Sequence, residues 1–261
     1  MLGGGDGDDL IDGGNGNNAA TYADASAGVK IDLKLQGKSQ DTGGAGIDTL
    51  RNIQSLIGSD HDDTLQGNQG SVANTLEGGI GNDTLNGRGG KDTASYADAT
   101  VGVTVNLGLK MAQDTGGAGT DTLLSMENLV GSAHADQLSG SRSKNVLMGG
   151  EGADILTGGN GRDIFRYEAT TEGGDMLTDF RSGQDKLAFS GEAFGGLSSG
   201  KIDAGLFAIG SSAQTAEQRF VFNSATNSLY YDADGSGGET AVLIGTFTGV
   251  TSLLVKDFVI L

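Results

Sequence analysis

Residues 131–166 divide without a gap into four nonapeptides, 131–139, 140–148, 149–157 and 158–166. Each begins with glycine. Each carries an acid or amide at its sixth position (Asp136, Asn145, Asp154, Asp163) and an apolar residue at its eighth (Leu138, Leu147, Leu156, Phe165). Few folds reset their chemistry every nine residues. The pattern predicts an all-β chain, a right-handed parallel β-roll or β-solenoid whose turns bind Ca²⁺, followed by a β-rich C-terminal cap.

The same unit recurs elsewhere. Gly-Gly-Asp-Gly-Asp-Asp-Leu-Ile-Asp stands at 4–12 and is followed by Gly-Gly-Asn-Gly-Asn-Asn. Gly-Gly-Ile-Gly-Asn-Asp-Thr-Leu-Asn stands at 78–86 and is followed by Gly-Arg-Gly-Gly-Lys-Asp. Isolated matches lie at 43–51 and 116–124. A longer repeat contains these units: Tyr22-Ala23-Asp24-Ala25 returns at Tyr96, 74 residues on, and Asp41-Thr42-Gly43-Gly44 returns at Asp114, 73 on. From Leu76 to Leu147 the offset is 71, because the turn at 67–77 has eleven residues where its counterpart at 140–148 has nine. A solenoid tolerates such an insertion on one face.

Between the glycine-rich clusters, Val29, Ile31, Leu33 and Leu35 alternate with polar residues, as do Val101, Val103, Val105 and Leu107. Period two predicts half-buried strands that continue the roll. By analogy with the later clusters, two further turns are expected before Gly4, so the chain reads as part of a longer parent. After Tyr167 the repeat stops. Residues 175–189 read as strand–turn–strand, and strands are also expected at Phe220, Leu229 and Ala241. The expected division is 1–166 for the calcium-binding roll, with two extended repeats, and 167–261 for a β-rich cap that closes the solenoid's edge and contains the export region.

Composition narrows the function. With 36% apolar residues and 48 glycines, each with much backbone freedom to lose, burial alone is a weak driving force. A formal charge of −18 opposes folding unless cations cancel it, and disfavours nucleic acid and anionic membranes as partners. The absence of cysteine excludes disulfides, zinc thiolates and cysteine nucleophiles. No segment is apolar for the roughly 18 residues of a membrane span. The first residues, Met-Leu-Gly-Gly-Gly-Asp, lack the basic and apolar regions of a signal peptide.

Calcium takes 6–8 oxygen ligands at about 2.3–2.6 Å. The nonapeptide can supply backbone carbonyls from its glycine turn and a carboxylate from its sixth position. One turn carries too few ligands, whereas two turns eighteen residues apart can share an ion.

These residues resemble the RTX (repeats-in-toxin) calcium-binding repeat of bacterial proteins exported by type I secretion. The resemblance implies Ca²⁺ between turns n and n+2, with several ions held by turn carbonyls and sixth-position side chains. It pairs Asp136 with Asp154 and Asp63 with Asp83, and more weakly Asn145 with Asp163 and Asn74 with Asp92. The implied metal residues further include Asp9, Asp48, Asp121 and the turn glycines Gly78, Gly79, Gly81, Gly149, Gly150, Gly152, Gly158, Gly159 and Gly161. Asn18 departs from the pattern. The segments Asp179-Phe180, Asp185-Lys186-Leu187 and the final Asp257-Phe258-Val259-Ile260-Leu261 resemble the tail of secreted serralysin-type metalloproteases, which implies an uncleaved export signal.

Other motifs point less far. Asp232-Ala233-Asp234-Gly235-Ser236-Gly237-Gly238-Glu239 is half of an EF-hand loop without its helices; it reads as an acidic hairpin turn, with an extra ion left open. Residues 195–201 fit a phosphate-binding loop, but Ile202 replaces the required Ser/Thr. Residues 196–200 fit a nucleophile elbow, but His61 and His134 both precede it. The two histidines lack a third zinc partner and read as turn residues contributing carbonyls. No catalytic residue is expected in this chain.

The resemblance implies a secreted or cell-surface protein of a Gram-negative bacterium, unfolded at low Ca²⁺ and folding on export. Its partners would be Ca²⁺, the type I secretion machinery, and a polysaccharide or an N-terminal catalytic or adhesive module. The alternatives are an accessory module of a secreted metalloprotease, lipase or alginate epimerase, the end of an RTX adhesin, and a polysaccharide-binding module.

Overall fold

A three-residue strand centred on the eighth position is the unit from which this fold is built. In a strand, residues i and i+2 face the same side, so the sixth and eighth positions of each nonapeptide point inward together. The computed structural model describes residues 1–261, which form two compact units, Met1–Ser132 and Ala133–Leu261.

In the first unit, strands Leu2–Gly3, Ala19–Thr21, Ser55–Ile57, Thr75–Glu77, Thr93–Ser95 and Asn128–Val130 stack in parallel register. A second parallel stack holds Lys30–Asp32, Thr64–Gln66, Thr84–Asn86 and Gly119–Leu124. Leu10–Asp12 pairs in parallel with Gly46–Arg51. Register places Leu56, Leu76, Ala94 and Leu129 above one another, and Ile31, Leu65, Leu85 and Leu123 likewise, all at most 1% exposed. Burying each leucine contributes about 1.5–3 kcal/mol. The eleven-residue turn leaves the register of Thr75–Glu77 intact and carries its extra length in exposed residues around Ser71.

Each extended repeat also carries an antiparallel hairpin, Ser39–Gly43 with Gly46–Arg51 and Gln113–Gly116 with Gly119–Leu124. The alternating segments differ in part from the period-two expectation. Lys30–Asp32 is a strand, but Leu33–Leu35 turns into a 3-10 helix because the Asp32 carboxylate accepts from the Lys34 N–H at 2.8 Å. Val103, Val105 and Leu107 are buried, whereas Val101 is 55% exposed.

In the second unit, Val146–Met148, Ile164–Tyr167, Lys186–Phe189 and Phe258–Ile260 form one parallel stack. Gln137–Ser139, Ile155–Thr157, Asp175–Leu177 and Val242–Phe247 form the other. The two strands expected within 175–189 do not pair with each other. Each extends one stack, so the coil continues past the last nonapeptide. Beyond it the sheet turns antiparallel through Ser228–Tyr231 and Phe220–Asn223. Phe189, Phe194, Phe220 and Phe258 pack there with ring centroids 4.7–6.3 Å apart, replacing leucine ladders with an aromatic core.

Candidate metal centre

The inward-facing sixth positions form hydrogen-bonded ladders. In the first unit the Asp63 N–H donates to Asp83 Oδ1 at 2.8 Å, and the Asp83 N–H donates to Asp121 Oδ1 at 3.0 Å. A parallel ladder runs from the Asn74 N–H to Asp92 Oδ1 at 2.7 Å and from the Asp92 N–H to Glu127 Oε2 at 2.9 Å. Asp9 donates to Asp48 Oδ1 at 2.9 Å. In the second unit Asp136 donates to Asp154 at 2.8 Å and Asp154 to Asp175 at 3.0 Å. Asn145 donates to Asp163 at 2.9 Å and Asp163 to Asp185 at 3.0 Å. All four sixth-position pairs implied by the resemblance are thus brought together.

The backbone thus uses one oxygen of Asp83, Asp92, Asp154, Asp163 and Asp175, and their Oδ2, like that of Asp9, is buried with no hydrogen-bond partner. Apart from Asp9, these side chains belong to residues at most 1% exposed. A buried carboxylate without a counter-charge is strongly disfavoured. Burial pushes Asp83 up to about 7, with Asp121 and Asp63 adding repulsion. It raises Asp154 to about 7, with Asp136 and Glu172 contributing, and Asp92 to about 6, with Glu127 contributing. Asp163 rises to about 6 through burial and the nearby Asp185. The chain supplies hardly any positive charge to these positions. A hard divalent cation fits this donor set of carboxylate and carbonyl oxygens.

The turn glycines let successive coils come close. A Cβ on Gly149 would lie 1.9 Å from Asp154 Oδ2, and one on Gly78 would lie 2.1 Å from Asp83 Oδ2. On the facing side, Gly79 and Gly81 sit over the Ser59 and His61 carbonyls, and Gly152 over that of His134. Gly159 and Gly161 sit over the Ser141 and Ser143 carbonyls. Carbonyl oxygens and unpartnered carboxylate oxygens thus line the same turns. Gly150 and Gly158 complete these turns, Gly150 with φ +99° and Gly158 against Asp163.

Other positions are closed by the chain itself. Asp121 Oδ2 accepts from the Tyr96 hydroxyl at 3.0 Å and from Thr115 Oγ1 at 3.4 Å. Asp48 Oδ2 accepts from Thr42 Oγ1 at 3.4 Å, with Tyr22 beside it. Asp63 accepts from the N–H groups of Val29 and Ser59 as well as from Ser59 Oγ. In the acidic segment after Tyr231, Asp234 Oδ2 accepts from the N–H groups of Gly238 and Glu239, and Oδ1 of both Asp232 and Asp234 is buried without a partner.

Sequence reasoning missed four ladder members: Gln54, which accepts from the Asn18 N–H at 2.9 Å, and Glu127, Asp175 and Asp185. Their signal is simple. Each stands two residues before a buried leucine, namely Leu56, Leu129, Leu177 and Leu187, as the sixth position stands before the eighth.

The RTX calcium-binding nonapeptide repeat matches in four copies, over residues 4–19, 69–95 and 130–165. No curated protein matches the chain in sequence. Among solved structures, the extracellular lipase LipA from Serratia marcescens is similar at 17% identity and a TM-score of 0.26, over 82% of this chain and 44% of that one. The matched repeat is a structural calcium-binding element and not a catalytic one. Matched repeat, stacked turns and unpartnered carboxylates agree: the chain carries RTX calcium-binding nonapeptide repeats.

Proposed function

We propose that this chain is a calcium-gated folding module of an exported extracellular protein. At low Ca²⁺ the unneutralised acidic ladders keep it unfolded, and at the roughly millimolar Ca²⁺ outside a cell the ions drive it to fold by mass action. The observation that carries this reading is the set of buried, unpartnered carboxylate oxygens at Asp83, Asp92, Asp154 and Asp163 in a chain of charge −18. Each turn pair would hold an ion through its sixth-position side chains and the carbonyls beneath the facing glycines. Asp48 and Asp121, already bonded to hydroxyls, would be the weakest of the metal positions. In this reading residues 1–166 bear the ions. Residues 167–261 close the fold and contain the segment read by a type I secretion machinery of a Gram-negative cell. Catalysis, adhesion or polysaccharide binding would belong to an attached module.

Far-UV circular dichroism in EGTA and then in Ca²⁺ tests this. At about pH 8, above the raised carboxylate values, a β spectrum that forms only with Ca²⁺ is expected; the same spectrum in both solutions overturns the reading.

A further inference from the structure

One rung in each long repeat differs from the rest. In the second copy the Asp83 N–H donates to Asp121 Oδ1 at 3.0 Å, which is the usual rung. The other oxygen is treated differently. Asp121 Oδ2 accepts from the Tyr96 hydroxyl at 3.0 Å. Thr115 Oγ1 lies 3.4 Å from the same oxygen and donates to the Gly119 carbonyl at 2.8 Å. Tyr96, Thr115 and Asp121 are all at most 4% exposed. The facing turn is tied up as well. The Gly81 N–H donates to the Ala118 carbonyl at 3.0 Å, and the Thr120 N–H donates to Asn82 Oδ1 at 3.0 Å.

The same parts stand 73 or 74 residues earlier. The Asp9 N–H donates to Asp48 Oδ1 at 2.9 Å, and Thr42 Oγ1 lies 3.4 Å from Asp48 Oδ2 while donating to the Gly46 carbonyl at 2.8 Å. The Gly7 N–H donates to the Ala45 carbonyl at 2.9 Å, and the Ile47 N–H to Asp8 Oδ1 at 3.0 Å. Tyr22 is buried beside Asp48, although its hydroxyl makes no hydrogen bond of good geometry. The second copy is thus the fully closed one. The nonapeptide turns contrast with both, because Oδ2 of Asp83, Asp92, Asp154 and Asp163 is buried with no partner. An ion at those oxygens displaces no protein group. An ion at Asp121 Oδ2 would displace the Tyr96 hydroxyl and strand it inside the fold.

We propose that Tyr96 takes the place of a metal ion at Asp121: this rung of the long repeat is latched by a phenol hydroxyl and holds no Ca²⁺, with Tyr22 and Asp48 as its counterpart. The resemblance puts Asp48 and Asp121 among the metal residues, and the hydrogen-bond donors around them do not fit that assignment. The step goes beyond a weak site to an ion-free one. Its consequence is architectural. The hairpin of Gln113–Gly116 with Gly119–Leu124 stacks on Thr84–Asn86 through a neutral latch, so the calcium response belongs to the glycine-rich clusters and not to the hairpins between them.

The latch rests on Ca²⁺ filling the other turns, and its test separates the two ideas. The full chain is saturated with Ca²⁺ and its bound ions are counted by native mass spectrometry. Asp121→Asn and Tyr96→Phe should each bind as many ions as the parent, whereas Asp154→Asn should bind at least one fewer. One ion fewer in Asp121→Asn or in Tyr96→Phe overturns the latch. If Asp121→Asn does not fold, anomalous diffraction from crystals of the Ca²⁺-saturated parent decides. Density at Asp154 and none at Asp121 is expected, and density in contact with Asp121 Oδ2 overturns the latch. A parent that binds no Ca²⁺ overturns the gating reading and the latch together, whereas an ion at Asp121 overturns the latch alone.

Discussion

At the scale of single residues, the carboxylates of the ladders are held in a state they would not choose. An isolated Asp titrates near 3.9, whereas Asp83 and Asp154 are pushed up to about 7 and Asp175 to about 8, chiefly by burial. A pKa raised on folding favours the folded state at low pH, and that advantage is lost as pH rises through the folded values. Without metal, the β structure should therefore gain stability as pH falls from about 8 to about 5, read as a rising thermal midpoint in EGTA. Protons and Ca²⁺ compete for the same oxygens, so the apparent Ca²⁺ affinity of the folded chain should fall over the same interval. A metal-free chain whose midpoint falls on acidification through that window would contradict the ladder. Which residues face inward was legible from the sequence wherever the glycine pattern announced them, as at Asp83 and Asp154. Gln54, Glu127, Asp175 and Asp185 escaped because their turns lack the Gly-Gly-x-Gly prelude. What they retain is the two-residue step to a buried leucine, which is the physical requirement; the glycines are needed only where a turn must approach another closely.

At the scale of the element, each strand contributes three residues and one buried side chain. Leu85, stacked between Leu65 and Leu123, should cost about 2–5 kcal/mol on Leu85→Ala in saturating Ca²⁺, by chemical denaturation. Ile80, 54% exposed in the preceding turn, should change stability by less than about 0.5 kcal/mol on Ile80→Ala. Equal effects would mean that the leucine ladder is not the core. Turn length is a separate variable. The turn at 67–77 keeps its carbonyls against the facing glycines despite its extra residues, with Gly90 over the Val72 carbonyl. Lengthening the 140–148 turn by two residues after Ser141 should thus cost well under about 1 kcal/mol, since loop closure depends only weakly on length. Strand identity and period were readable in advance because a nine-residue repeat leaves little else to fold into. The fate of 175–189 was not. Its sequence suits a hairpin as well as a coil, and only the rungs from Asp154 to Asp175 and from Asp163 to Asp185 direct its two strands to opposite stacks.

At the scale of the whole molecule, charge and metal must be separated, because Ca²⁺ could act by diffuse neutralisation or by filling specific turns. Screening alone predicts that any salt will do, since about 1 M salt shortens the Debye length to about 3 Å. The structure points the other way. The unpartnered oxygens of Asp83, Asp92, Asp154 and Asp163 are buried, where mobile ions do not screen them, and each is aimed into a turn already lined with carbonyls. A turn pair occupied at 100 times its dissociation constant adds about 2.7 kcal/mol, and several pairs together exceed the stability of an ordinary domain. In EGTA, raising KCl to about 1 M should therefore contract the hydrodynamic radius, because the repulsion of an unfolded −18 chain is damped. It should not produce the β spectrum. Micromolar-to-millimolar Ca²⁺ at the same ionic strength should produce both. If KCl alone yields the β spectrum, bulk charge and not turn occupancy controls folding, and the unpartnered oxygens must be satisfied by protons or water.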